Sequence, residues 1–140
     1  MELLHKIQKE LKAPKNQFNS FGKYHYRNCE DILEAVKPFL VNGATLTISD
    51  DIVCVGTRNY VKATATLSDG KELASTTALA RESEDKKGMD EAQITGAASS
   101  YARKYALNGL FCIDDTKDAD TKNNSKEINK QLEESTDLPW

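Results

Sequence analysis

GMDEAQITGAASSYARKYALNGLF, Gly88 to Phe111, is the stretch around which the rest of the chain is arranged. It is the longest segment with helical continuity. Ala92, Gly96, Ser99, Ser100 and Arg103 recur three or four apart and share a face. Ala98, Tyr101, Ala102 and Tyr105 form a neighbouring stripe with Ile94. A glycine inside a helix costs about 1 kcal/mol against alanine. Gly96 therefore implies close approach of another backbone, either the sheet beneath or a neighbouring subunit. Gly109 follows the last periodic residues, where a left-handed cap is expected. Arg103 and Lys104 are consecutive cations flanked by Tyr101 and Tyr105. Taken alone, the pair reads as cations favouring a helix C-terminus.

Outward from this helix, the chain alternates helical and extended patterns. Leu3, Leu4, Ile7 and Leu11 make an amphipathic helix of residues 2 to about 12, ended by Pro14, with His5 at the edge of its stripe. Gln17 to Arg27, QFNSFGKYHYR, interleaves Phe18, Phe21, Tyr24 and Tyr26 with Lys23, His25 and Arg27. In an extended segment Tyr24 and Tyr26 take one face, and Lys23, His25 and Arg27 the other. That composition suits base stacking with phosphate contact. It equally suits a strand with aromatics in the core and charges in water. Asn28 is an N-cap with Asp31 at the third helical position. The helix it starts runs through Ile32, Leu33, Val36, Phe39 and Leu40, tightens at Pro38, and stops at Asn42-Gly43.

Residues 44–49 and 52–57 read as strands, with Ser49-Asp50-Asp51 as the turn between them. Tyr60 to Leu67 alternates strictly, Asp69-Gly70 signals a hairpin, and residues 72–81 return. The expected class is α+β: an antiparallel β-meander packed against a long helix (a β-β-β-α core), with N-terminal helices and a disordered C-terminal tail. The threonine-rich face of the sheet is either wet or covered by the N-terminal helices. RESEDKKG, Arg81 to Gly88, is a polar connector carrying Lys86 and Lys87. It reads as a solvated loop or as a clamp on a phosphate backbone.

Composition sets limits. The 140 residues suffice for one domain, 1–113, and a tail, 114–140. No apolar run reaches the roughly 18 residues of a membrane span, and the first residues have no signal-peptide pattern. Cys29, Cys54 and Cys112 lack metal-ligand spacing and read as free thiols in a reducing cytoplasm. The net charge of -3 is uneven. Residues 114–140 carry eight acids and four lysines, leaving fifteen bases against fourteen acids in the body. A body at +1 is no strong nucleic-acid footprint by itself. The tail has few apolar residues and reads as disordered. Its acids, Asp114, Asp115, Asp118 and Asp120, lack the glycine turn and distal glutamate of a calcium loop. Asp137, Leu138, Pro139 and Trp140 end it in an acidic-aromatic tip suited to a basic-rimmed apolar pocket on a partner. A random terminus is the plainer reading.

Two blocks carry a resemblance: KYHYRNCEDILEAVKPFL, Lys23 to Leu40, and GMDEAQITGAASSYARKYALNGLFCIDDTKDAD, Gly88 to Asp120. The second is the more specific, with Ala92-Gln93-x-Thr95-Gly96 followed by Tyr101 to Leu107. The sequence resembles the ERF (essential recombination function) family of phage single-strand annealing proteins over roughly residues 1 to 120. The remainder is shorter than the C-terminal region of longer family members. The resemblance implies a fold like that of eukaryotic strand-annealing mediators. It implies homo-oligomeric rings or filaments that bind single-stranded DNA in a basic groove and pair complementary strands without ATP, in the cytoplasm of a bacterial host. No catalytic residue, cofactor or metal is then expected, and the chain has no GxxxxGK[ST] phosphate loop.

Arg103 and Lys104 match the basic position on the family's principal helix. Lys86, Lys87 and Arg81 are the next candidates for phosphate contact. Lys23, Tyr24, Tyr26 and Arg27 fall in the first block. Repeated around an oligomer, one modest cluster per subunit makes a basic track from a nearly neutral body. The acidic-aromatic tip resembles that of bacterial single-strand-binding proteins. Host single-strand-binding or replication proteins, or a phage exonuclease, are its expected partners. Two rival readings stay open: an adaptor that recruits such factors through the tail, and a metal-dependent nuclease using the acids of residues 114–120.

Overall fold

The strict alternation of Tyr60 to Leu67 becomes the centre of the sheet. Val61, Ala63, Ala65 and Leu67 are all buried, while the residues between them are half-buried. The structure is a computed structural model, described here for residues 1–84 and 87–113. Its elements are α1 (Glu2–Glu10), β1 (Gln17–Asn19), β2 (Tyr24–Tyr26), α2 (Cys29–Val36) with a 3-10 turn at Lys37–Phe39, β3 (Thr45–Val55), β4 (Arg58–Ser68), β5 (Leu73–Arg81) and α3 (Glu91–Phe111). Strands β3-β4-β5 form an antiparallel sheet in that order, and β1 and β2 pair as a separate small hairpin.

One expectation is corrected by β3. The 49–51 turn does not form, and residues 45–55 are one continuous strand paired to β4 from Thr45–Ser68 to Val55–Arg58. Adjacent aspartates are poor strand formers. Here Asp50 is carried on the helix-facing side, where its carboxylate meets Arg103 of α3. A tertiary partner overrides local propensity. The reversal instead occurs at Gly56-Thr57, a two-residue loop with Gly56 at φ +63°. At the other end Asp69 closes the β4–β5 turn, its Oδ1 accepting from the Lys71 and Glu72 amides at 2.9 and 2.7 Å.

α3 packs along β4 and β5. Ala98, Ala102 and Ala106 recur every four residues and are buried, so the helix rests on the sheet through methyl groups. Leu107 and Phe111 lie round the helix from that stripe. They join Ile7 of α1 with Ile32 and Val36 of α2 in the same core. The N-terminal helices therefore pack on α3. The core takes nothing from the threonine face of the sheet, where Thr45, Thr47, Ser75 and Thr77 are exposed. Of the two readings of that face, the wet one holds among the described residues.

Both glycine expectations change. A Cβ on Gly96 would meet nothing within 4 Å, so the sheet is not the reason for that glycine. Gly109 lies within the helix, and its own Cβ would come 3.0 Å from the Thr76 methyl. There the helix passes close to Thr76 of β5. The left-handed cap is Cys112, at φ 54°. Asn28 caps α2 as expected, in a reciprocal capping box with Asp31. Asp90 and Gln93 do the same for α3.

Candidate nucleic-acid interface

The β1–β2 hairpin brings the first sequence block against α3. Gln17 pairs with Tyr26, Phe18 with His25, and Asn19 with Tyr24. Alternation puts Tyr24 and Tyr26 on the half-buried side, and Phe18 and His25 on the outside. The two tyrosine rings meet edge to face at 5.9 Å. Between this hairpin and α3 is a cavity of about 240 Å³, lined by Tyr24, Tyr26, Ser100, Tyr101 and Lys104 among others. Lys104 is only 5% exposed, and its Nζ is 6.0 Å from the centre of the Tyr105 ring. The cation thus borders the cavity from within the protein.

On the β5 side of α3 is a second hollow of about 490 Å³, lined by Leu79, Arg81, Met89, Ile94 and the rings of Tyr101 and Tyr105. Those rings stack at 6.2 Å and 29°, and both are exposed. Tyr101 lines both cavities. A path of aromatic surface therefore runs from the hairpin across Tyr101 to Arg81.

Arg103 goes elsewhere. It turns towards β3 and grips Asp50 with a forked pair: Nε at 3.1 and 3.2 Å from the two carboxylate oxygens, and the terminal nitrogen 3.0 Å from Oδ2. The Ser99 hydroxyl donates to the same carboxylate. Partial burial pushes the Asp50 carboxyl up, but the hydrogen bonds from Arg103 and Ser99 outweigh it and hold the group below its ordinary range. Burial, then the charge of Glu30, pushes the nearby Cys29 thiol up. Arg103 is thus held in a carboxylate clasp, with Glu30 close by.

Of the other expected residues, Arg27 also lines the hairpin–α3 cavity. Arg27 is not on an exposed basic face with His25. It is 8% exposed, beyond the end of β2, and its Nε donates to the Ala13 carbonyl at 2.7 Å, tying the hairpin to the end of the first helical segment. Lys23 is exposed at φ 54° in the hairpin turn. Arg81 is exposed at the end of β5, and Lys87 is exposed beyond it. Lys86, the acids of residues 114–120 and the tip Asp137–Trp140 lie outside the described residues. Sequence reasoning missed Asp50 as the partner of both Arg103 and Ser99, since nothing local marks contacts across 53 and 49 residues. It named Phe21 in the aromatic–basic segment without counting it among the site residues; its ring is 99% exposed.

Among the described residues no cluster of three or more His, Cys, Asp or Glu is placed to hold a metal ion. None of the described helices is long and apolar enough to cross a membrane.

The sequence model of the ERF superfamily matches residues 1–137, nearly the whole chain. The chain belongs to the ERF superfamily. It is 61% identical over 140 residues to the essential recombination function protein of Salmonella phage P22, an alignment covering 97% of this chain and 68% of that relative. No solved structure matches it. Both blocks that carried the ERF resemblance meet at the hairpin–α3 groove. Tyr24 and Tyr26 come from the first, and Ser100, Tyr101 and Lys104 from the second.

Proposed function

We propose that this chain acts in phage recombination as an ATP-independent single-strand annealing protein. Its copies assemble into a ring or filament, and each holds a short length of single-stranded DNA along the path from the hairpin groove across Tyr101 to Arg81. The observation that carries the reading is the convergence of both family-bearing blocks on one groove walled by Tyr24, Tyr26 and Tyr101 and bordered by Lys104. Family membership and the name of the phage P22 relative support a recombination role.

Such a surface fits single-stranded nucleic acid. Ring faces accept any base, so binding is tolerant of sequence, and each stack contributes about 1–3 kcal/mol. Lys23, Lys104, Arg81 and Lys87 supply the cations for the backbone. Arg103 ranks below Lys23, Arg81 and Lys87, because its fork is already filled by Asp50. Each subunit provides only a few contacts, and assembly multiplies them into a track. Individually weak stacks allow a base to leave its ring for a complementary partner. The function is positioning followed by release, with no bond made or broken in the protein.

The test is pairing of two complementary labelled oligonucleotides without nucleotide cofactor, alongside anisotropy titration of one strand. Wild-type protein should accelerate pairing. Tyr101→Ala removes an exposed ring together with its stack on Tyr105, and should weaken single-strand binding roughly 5-fold or more. No acceleration over the protein-free reaction would sink the proposal.

A further inference from the structure

The tip of the β1–β2 hairpin is built to hold one ring in the open. Phe21 is 99% exposed, yet its loop is fixed on every side. Asn19 Oδ1 accepts from the Phe21 and Gly22 amides, both at 3.0 Å. Asn19 Nδ2 donates to the Tyr24 hydroxyl at 2.9 Å. The Tyr24 ring lies so close over Gly22 that a Cβ there would fall 2.3 Å from Cε1. Lys23 takes a left-handed conformation, rare for a residue with a side chain. A loose loop would let the phenyl ring fold back on the protein. Here the backbone beneath the ring is held in place, and a tight hairpin turn has no need of an apolar residue at its apex.

The surroundings specify what the ring meets. Gln17 to Arg27 contains no acid, and Lys23 is two residues from Phe21. Phe18, 55% exposed, packs on His25 with ring centres 4.9 Å apart, immediately below the turn. The nearest acids along the chain, Glu30 and Asp31, belong to the start of α2, and Asp31 is engaged by Gln17 and by the amide of Asn28 at the hairpin's base. An exposed ring two residues from a lysine, in a segment without acids, matches a ligand with π faces strung on a polyanion. An apolar pocket on another protein would not require the lysine.

We infer that Phe21 is a base-stacking residue. It takes an unpaired base of single-stranded DNA on its face while Lys23 contacts the adjoining phosphate, a second point of attachment outside the hairpin–α3 groove. The inference rests on the single-strand-binding reading above and adds a named contact to it.

The experiment uses the full chain, a fluorescein-labelled oligothymidine and the same oligomer carrying abasic sites. Phe21→Ala should lose about 5- to 150-fold in affinity for the intact oligomer, the equivalent of one base stack. It should lose far less for the abasic one, and should keep its circular dichroism and subunit number. Phe21→Trp should bind like wild type, and the oligomer should quench the added tryptophan emission beyond the change seen with wild type, whose own tryptophan is Trp140. If wild type binds no oligomer, the annealing proposal fails and takes this inference with it. If wild type binds while Phe21→Ala matches it, or Phe21→Trp shows no added quenching, only this inference is overturned. A change of subunit number in Phe21→Ala would assign the tip to contact between copies and overturn it too.

Discussion

At Asp50 one carboxylate receives an arginine fork and a serine hydroxyl. Removing its charge separates the role of the clasp from that of the groove. Asp50→Asn keeps the shape and loses the ion pair, and should destabilise the domain by about 0.5–1 kcal/mol at pH 7, the range of a partly exposed pair. The sign with pH follows from the depressed carboxyl. Its contribution is fully present above the unfolded aspartate value near 4 and is lost as pH falls through the lower folded value. Urea titrations should therefore show a gap between variant and wild type at pH 7 that closes towards pH 3. A gap independent of pH would mean the clasp acts by packing alone.

Among elements, α3 carries two glycines with opposite surroundings. Gly96→Ala adds a methyl where nothing lies within 4 Å. It should stabilise the protomer by about 0.5–1 kcal/mol, as alanine does in a helix interior. Gly109→Ala places that methyl 3.0 Å from Thr76 and should lose most or all of the same gain unless Thr76 moves. Denaturation midpoints of the two variants test the contrast. Sedimentation of Gly96→Ala tests whether a neighbouring copy, the other reason given for that glycine, approaches there. Equal stabilisation by both would contradict the packing of α3 on β5. Part of this element was legible: its span and the recurrence of Ala98 and Ala102 follow from spacing. The cap was not, because Cys112 in a left-handed conformation is unusual and Gly109 was the local favourite. β4 was legible because its pattern is strict. β3 was divided in two because Asp50-Asp51 looks like a turn until Arg103 is known to be opposite.

For the molecule as a whole, the family was readable from two blocks, and the groove where they meet was not. Contact between residues 24–26 and 100–104 depends on how the hairpin folds over α3, which no periodicity encodes. Arg27 shows the limit from the other side. By alternation it belongs with His25 on a basic face, but the chain leaves the strand at Tyr26 and the arginine serves the carbonyl of Ala13. If Lys104 contributes a phosphate contact from its buried seat, Lys104→Met should preserve the fold through similar packing. It should also make the slope of log affinity against log salt shallower by about 0.7 per protomer engaged. Anisotropy titrations across a salt series measure this. An unchanged slope with unchanged affinity would remove Lys104 from the path.

Tyr101 belongs to the walls of two compartments at once. A group seated against one side of its ring would restrict the rotamers open to the other, so that if both compartments take a ligand their filling would be linked. Linkage of this kind is reciprocal: occupancy of either compartment alters affinity in the other by the same factor. Were the incoming complementary strand to enter by the Arg81 side, a single phenol would let the protein sense whether its first strand is already loaded.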